Sequence, residues 1–129
     1  MKPEIKLKWT TALRSGKYKQ GRSRLQRLDA FENPQFCCLG VLCDLYIQET
    51  GNGKWQSGPN GPNMPVIWIG SGFSGLRLPR EVREWAGISS ADPTVMFVTK
   101  TERAVSLSSL NDGMGFSFDK IADVIDEQL

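Results

Sequence analysis

The chain has 129 residues, of which 40% are hydrophobic and 23% are charged. This length and composition are typical of one globular domain and are too apolar for a disordered chain. The sequence contains no run of about 18 apolar residues, which excludes a membrane-spanning helix, and its first residues lack the apolar core of a secretory signal. We therefore expect a single domain over residues 1–129, not bound to a membrane and located in the cytoplasm.

Positive charge is concentrated near the amino terminus. Residues 1–27 contain nine lysines and arginines and one acidic residue, a net charge of +8. The remaining residues contain seven basic and thirteen acidic side chains, a net charge of −6. This asymmetry indicates either an anionic partner or an internal complement between the two parts of the chain.

Two helices are predicted in the first half of the chain. Apolar residues recur at helical spacing from Ile5 to Leu13, so residues 5–15 are expected to form the first helix, ended by the glycine that follows. Residues 36–49 are the most apolar segment. Their apolar stripe predicts a buried helix, weakened by Gly40, and an interior strand is the alternative.

The second half of the chain predicts shorter elements. In chain order they are the strands KWQS and PVIWI joined by the long loop GPNGPNM, a helix over 79–86, a strand over 94–99 that pairs with RAVSL, and a helix over 118–128 capped by Ser117. This order predicts an α+β fold, with three to four short helices packed on a small antiparallel sheet.

The absence of histidine argues against an enzyme. Without that side chain the sequence offers no Ser–His or Cys–His nucleophile pair and no common neutral-pH proton carrier. We therefore expect a non-enzymatic protein with no catalytic residues, no cofactor and no metal.

Three cysteines, Cys37, Cys38 and Cys43, lie close together in the predicted apolar helix. Their odd number and their spacing fit neither a disulfide framework nor a zinc site. The sequence favours buried apolar cysteines, and the alternative is a reactive thiol at Cys37 or Cys38, near the start of the helix.

Two further motifs are better explained by local structure than by ligand binding. Residues 70–75 match G-x-G-x-x-G, but no helix is predicted directly after them, so they predict a flexible loop rather than a phosphate-binding one. Residues 107–112 predict a helical turn that runs into a loop. Asn111 and Asp112 are expected to close this turn through side-chain to backbone hydrogen bonds, and the alternative is a contact with a ligand.

The basic segment after the first helix is the candidate binding site. It combines cations, an aromatic ring, a glycine and amide donors, which suit phosphate oxygens and a stacked base. The candidate ligand-binding residues are Lys17, Tyr18, Lys19, Gln20, Arg22 and Arg24. The alternative is a solvated basic surface paired with the acidic carboxy-terminal helix. A short strand with a loop and a weak helix from Ser23 are both compatible with this segment.

Several segments together carry a resemblance to known proteins. They are WTTALRSGKYKQG at residues 9–21, FCCLGVLCDL at 36–45, LP at 78–79, LND at 110–112 and the S-F-x-x-I-A-D pattern at 117–123. On these segments the chain resembles a family of small phage and prophage proteins. The resemblance implies a viral setting and implies no activity.

We interpret the sequence as that of a non-enzymatic phage protein that binds and sequesters an anionic ligand. A nucleotide-type host immune signal is one such ligand, and the protein would then act against host defence. A homo-oligomer is expected, since pockets for such ligands often form between subunits. The alternative is a phage accessory protein that binds nucleic acid or a host protein.

Overall fold

The computed structural model describes residues 1–70, 72–97 and 103–129 of the chain. Within these ranges the chain forms five helices and three small antiparallel sheets, which confirms the predicted α+β class. In chain order the elements are α1 (Pro3–Arg14), β1 (Gln26–Leu28), β2 (Pro34–Phe36), α2 (Cys38–Thr50), β3 (Lys54–Gly58), β4 (Gly61–Ile69), β5 (Gly72–Ser74), α3 (Arg80–Ala86), β6 (Thr94–Phe97), β7 (Arg103–Ser106), α4 (Leu107–Asn111) and α5 (Phe118–Gln128). None of the described helices is long and apolar enough to cross a membrane.

Helix α2 lies at the centre of the hydrophobic core. Most of its first seven positions are fully buried, and α1, α3 and α4 all pack against it. The predicted helix over 36–49 is therefore confirmed, and the strand alternative is wrong. The helix begins later than predicted because Phe36 belongs to β2 and Cys37 has an extended backbone. It ends at Gly51, whose left-handed φ of 72° glycine adopts without strain.

Helices α1 and α5, both predicted from the sequence, pack against each other beside this core. The fully buried Trp9 of α1 donates its indole Nε1 to the carbonyl of Cys38, at 2.9 Å, and so joins α1 to α2. Arg14 at the end of α1 contacts carboxylate oxygens of Asp123 at 2.7 Å and Asp126 at 2.8 Å on α5. Part of the amino-terminal positive charge is thus neutralised by the acidic helix.

The strands are divided among hairpins rather than joined in one sheet. Strands β1 and β2 pair with Gln26 opposite Phe36, and β4 is the central strand between β3 and β5. Strands β6 and β7 pair from Thr94 to Phe97, which confirms the predicted partner of this strand. Residues 98 and 99 of the predicted strand lie outside the described residues.

Two local predictions in this part of the chain are wrong. The predicted loop GPNGPNM is mostly strand, because β4 already begins at Gly61 and pairs there with β3. The predicted flexible loop over 70–75 contains β5, which pairs with β4. Of the two alternatives for the segment after α1, the short strand with a loop is confirmed, because a loop leads there into β1. The helix from Ser23 is wrong, because Ser23 has a φ of +71°.

Candidate functional site

A groove of about 1030 Å³ lies between α1, α2 and the β1–β2 hairpin. Its apolar lining comes from Leu7 and Ala12 of α1, Pro34 and Phe36 of β2, and Leu45 of α2. Ligand pockets have volumes of about 300–1,000 Å³, so the groove is large enough for a small organic molecule. We call this feature the α1–α2 groove.

Tyr18 is held in the wall of the α1–α2 groove by hydrogen bonds. Its hydroxyl donates to Oδ2 of Asp44 at 2.6 Å, and Gln48 donates to the same carboxylate oxygen at 2.6 Å. The other oxygen, Oδ1, accepts from the indole of Trp55 at 3.0 Å. Burial and the neighbouring carboxylate raise the pKa of Tyr18 above its ordinary range, so the phenol stays protonated and keeps donating to Asp44.

Aromatic contacts also hold Tyr18 in the wall of the groove. The rings of Tyr18 and Phe36 meet edge to face, with centroids 5.1 Å apart, and Phe36 meets Trp55 in the same way at 5.9 Å. Such T-shaped pairs are favourable because the positive edge of one ring faces the negative face of the other. The Tyr18 side chain is therefore a rigid part of the groove.

Gln26 is a nearly buried polar residue that lines the α1–α2 groove. Its relative exposure is 6%, and no side-chain hydrogen bond to it occurs among the described residues. Because Gln26 lies directly opposite Phe36 in the β1–β2 ladder, the two side chains occupy the same face of the hairpin. A glutamine at a buried strand position has no sequence signal of its own, so Gln26 is not predictable as a site residue from the sequence.

Lys17 and Lys19 are exposed and also line the α1–α2 groove. Neither forms an ion pair with a described carboxylate, whereas Lys8, on the same groove, pairs with Glu49. The carboxylate of Asp29 lies on the hairpin side, where backbone hydrogen bonds and the nearby Lys19 ammonium lower its pKa. The groove therefore presents two lysine ammonium groups beside an apolar surface and an aromatic ring.

Gln20 belongs to a buried polar network rather than to the groove lining. Its Nε2 donates to Oδ1 of Asn111 at 2.9 Å and to the carbonyl of Phe116 at 2.8 Å. Asn111 Oδ1 also accepts from the backbone nitrogen of Cys38 at 3.2 Å, and its Nδ2 donates to the carbonyl of Gly21 at 2.9 Å. Contrary to the predicted local turn closure, the fully buried Asn111 side chain therefore joins distant segments.

Arg22 and Arg24 also lie away from the groove lining. Arg22 donates to the carbonyl of Asp112 at 3.3 Å, and a carboxylate oxygen of Asp112 accepts from the Ser23 backbone at 2.9 Å. Arg24 packs over Gly75, where an added Cβ would come within 2.3 Å of its Nη2.

The structure thus divides the six predicted residues into two groups: Lys17, Tyr18 and Lys19 line the groove, and Gln20, Arg22 and Arg24 do not.

The three cysteines are buried, as the sequence predicted. Burial raises the pKa of Cys37 to about 11 and raises those of Cys38 and Cys43 well above the ordinary value. The thiols are therefore protonated near neutral pH, which argues against the reactive alternative at Cys37 or Cys38. Among the residues described, no cluster of three or more acidic or cysteine side chains is placed to hold a metal ion.

The fold and the groove define a small α+β protein with a lysine-edged, partly apolar surface groove. The chain belongs to a family described as a domain of unknown function, DUF8296, whose family model matches residues 1–129. Comparisons with curated proteins and with solved structures gave no match.

Proposed function

We propose that the α1–α2 groove binds an anionic ligand of the nucleotide type and that the protein sequesters this ligand without converting it. In the phage setting that the sequence resemblance implies, the ligand is a host signal nucleotide captured in the cytoplasm of the infected cell. The observation that carries the proposal is that Lys17 and Lys19, the neighbours of Tyr18 in the chain, line the groove together with Tyr18.

The chemistry of the groove supports an anion with an attached ring. Lysine ammonium groups that form no close ion pair within the protein favour phosphate oxygens through charge-assisted hydrogen bonds. The apolar lining from Leu7, Ala12 and Leu45 favours a group that water solvates poorly. The fixed Tyr18 side chain offers a surface on which a base can pack at little cost in conformational entropy.

Isothermal titration with cyclic nucleotides and ADP-ribose tests the proposal directly. We expect a saturable heat of binding for at least one probe and about a tenfold loss of affinity in the double variant Lys17→Ala/Lys19→Ala. Each exposed charge pair contributes up to about 1 kcal/mol, and a loss of about 1.4 kcal/mol in total is a factor of ten. Affinity should also fall as salt is added, since the exposed ammonium groups are screened.

The matched control is the double variant Lys2→Ala/Lys54→Ala. Both lysines are exposed and lie outside the groove lining, so this variant loses the same net charge without altering the groove. Equal losses in the two double variants would show that binding depends on net charge alone. An absence of binding by every probe would contradict the proposed function.

A further inference from the structure

We infer that Gln26 reads the polar edge of a planar heterocycle, so that the ligand of the α1–α2 groove is a nucleoside phosphate rather than a simple anion. This inference rests on the proposed function and adds the part of the ligand that lysines do not recognise. It assigns separate roles to two regions of one groove. Lys17 and Lys19 hold phosphate, and Gln26 holds the base.

The burial of Gln26 is the first observation behind this inference. An amide that opens onto a groove exchanges hydrogen bonds with water there, and a ligand with matching polar atoms can replace that water. Gln26 is 6% exposed, and no partner for its side chain occurs among the described residues. Among the described residues, the buried side-chain atoms without a partner are Arg24 Nε, Trp68 Nε1 and Arg83 Nε. The Gln26 amide is not one of them, so its atoms remain accessible in the groove, where a bound molecule can form hydrogen bonds with them.

The chemistry of the amide indicates what kind of group it binds. A glutamine side chain presents a donor next to an acceptor in one plane. Nucleobases present the complementary pair along an edge, as adenine does with its N6 amino group and N7. A sulfate ion or a fully ionised phosphate group offers acceptors alone and would leave the glutamine oxygen unpaired. The amide therefore favours a base over a second anionic group.

The surroundings of Gln26 fit a flat ring. Phe36 lies opposite Gln26 in the hairpin, and the Phe36 ring packs against Tyr18 with centroids 5.1 Å apart. The amide and this aromatic wall line the same groove. A base can therefore pack against aromatic and apolar surface while its edge meets the amide, the arrangement by which proteins bind single bases.

The variant Gln26→Met tests the inference, because methionine keeps the length of the side chain and removes its hydrogen-bonding atoms. The nucleotide probes are ADP-ribose and 3′,5′-cyclic AMP, and the base-free probes are ribose 5-phosphate and pyrophosphate. We expect the substitution to weaken nucleotide binding about tenfold and to leave base-free binding within about twofold. The control Gln56→Met, at an exposed position of β3 outside the groove lining, should leave both unchanged.

A measurement on the unaltered protein keeps the test independent of how well the variant folds. In nitrogen–proton correlation spectra, the side-chain amide signals of Gln26 should shift on addition of ADP-ribose and stay in place on addition of pyrophosphate. Unchanged nucleotide affinity in Gln26→Met, or amide signals unaffected by ADP-ribose, would overturn the inference while the anion site remained. Nucleotide binding that is insensitive to Lys17→Ala/Lys19→Ala would instead contradict the proposed function.

Discussion

Asn111 uses both polar atoms of its side chain, each of them twice, although it is completely buried. Its oxygen accepts from Gln20 and from the backbone of Cys38, and its nitrogen donates to the carbonyl of Gly21 and to Asp112. These bonds join the basic segment, the start of α2 and the end of α4. The residue therefore holds in place the backbone that leads into the candidate site.

Replacement of this residue should be costly. We expect Asn111→Ala to lower the free energy of unfolding by about 3 kcal/mol, because several buried polar groups lose their partner and a cavity remains. The midpoint of urea unfolding measures this loss. As a control, Asn52→Ala at an exposed position should change stability by less than about 0.5 kcal/mol. Equal midpoints in the two variants would contradict a structural role for the network.

The residues of the candidate site were predictable from the sequence in part. Lys17, Tyr18 and Lys19 stand out because cations and an aromatic ring are adjacent along the chain. Neighbours in the sequence need not share a surface, however, and Gln20 turns toward Asn111 instead. Gln26 could not be predicted as a site residue because its burial and its position in the groove arise from tertiary packing.

At the scale of elements, Gly40 has a low helix propensity but allows α2 to pack closely against a neighbouring segment. Glycine inside a helix costs about 1 kcal/mol relative to alanine, so the sequence indicates a weak point in α2. In the structure, a Cβ at this position would lie 1.8 Å from the backbone carbonyl oxygen of Leu25. The helix can therefore approach the segment before β1 closely enough to bury Leu25 completely.

Helix propensity alone predicts that alanine at position 40 stabilises the protein, and this close approach predicts the opposite. We expect Gly40→Ala to destabilise the protein by several kcal/mol or prevent folding, since the added methyl group meets backbone that cannot move aside. Gly51→Ala, where nothing lies within 4 Å but φ is +72°, should cost only about 1 kcal/mol. Thermal unfolding followed by circular dichroism distinguishes the two. A stabilised Gly40→Ala variant would show that the contact is not as close as the structure indicates.

The helices were predictable because apolar spacing and end signals are local. Helix α5 follows its predicted bounds, with the Ser117 side chain accepting from the backbone of Lys120 at 3.3 Å. The strand β4 was partly missed because glycine and proline in GPNGPNM favour a loop when considered alone. Pairing with β3 overrides that preference, and such pairing is not visible in a single segment.

At the scale of the whole molecule, the charge asymmetry has two explanations, an internal complement and an anionic partner, and they apply to different cations. Arg14 and Lys8 pair with carboxylates of α5 and α2, which is the internal complement. Exposed pairs of this kind add little to stability, because water and salt screen them. Lys17 and Lys19 have no such pair among the described residues, and they are the cations that our proposal assigns to an outside anion.

The buried thiols link the stability of the whole molecule to pH. Burial raises the pKa of Cys37 to about 11, and it also raises the pKa values of Cys38 and Cys43 well above the ordinary value. In the unfolded chain the same thiols have a pKa of about 8.5. Above that pH the unfolded state therefore releases protons that the folded state still holds, so unfolding becomes more favourable as the pH rises. Below it all three thiols are protonated in both states, and their contribution is constant.

We therefore expect the free energy of unfolding to be insensitive to the thiols between pH 6 and about pH 8 and to fall above it, at up to about 1.4 kcal/mol per pH unit for each thiol. Urea unfolding at a series of pH values up to about 10 measures the slope. Cys43→Ala removes one of the three thiols and should reduce the slope by about a third, whereas Tyr46→Phe, another α2 substitution, keeps all three. A slope unchanged by Cys43→Ala would show that other groups cause the alkaline loss, and rapid thiol labelling of the folded protein at neutral pH would contradict the burial itself.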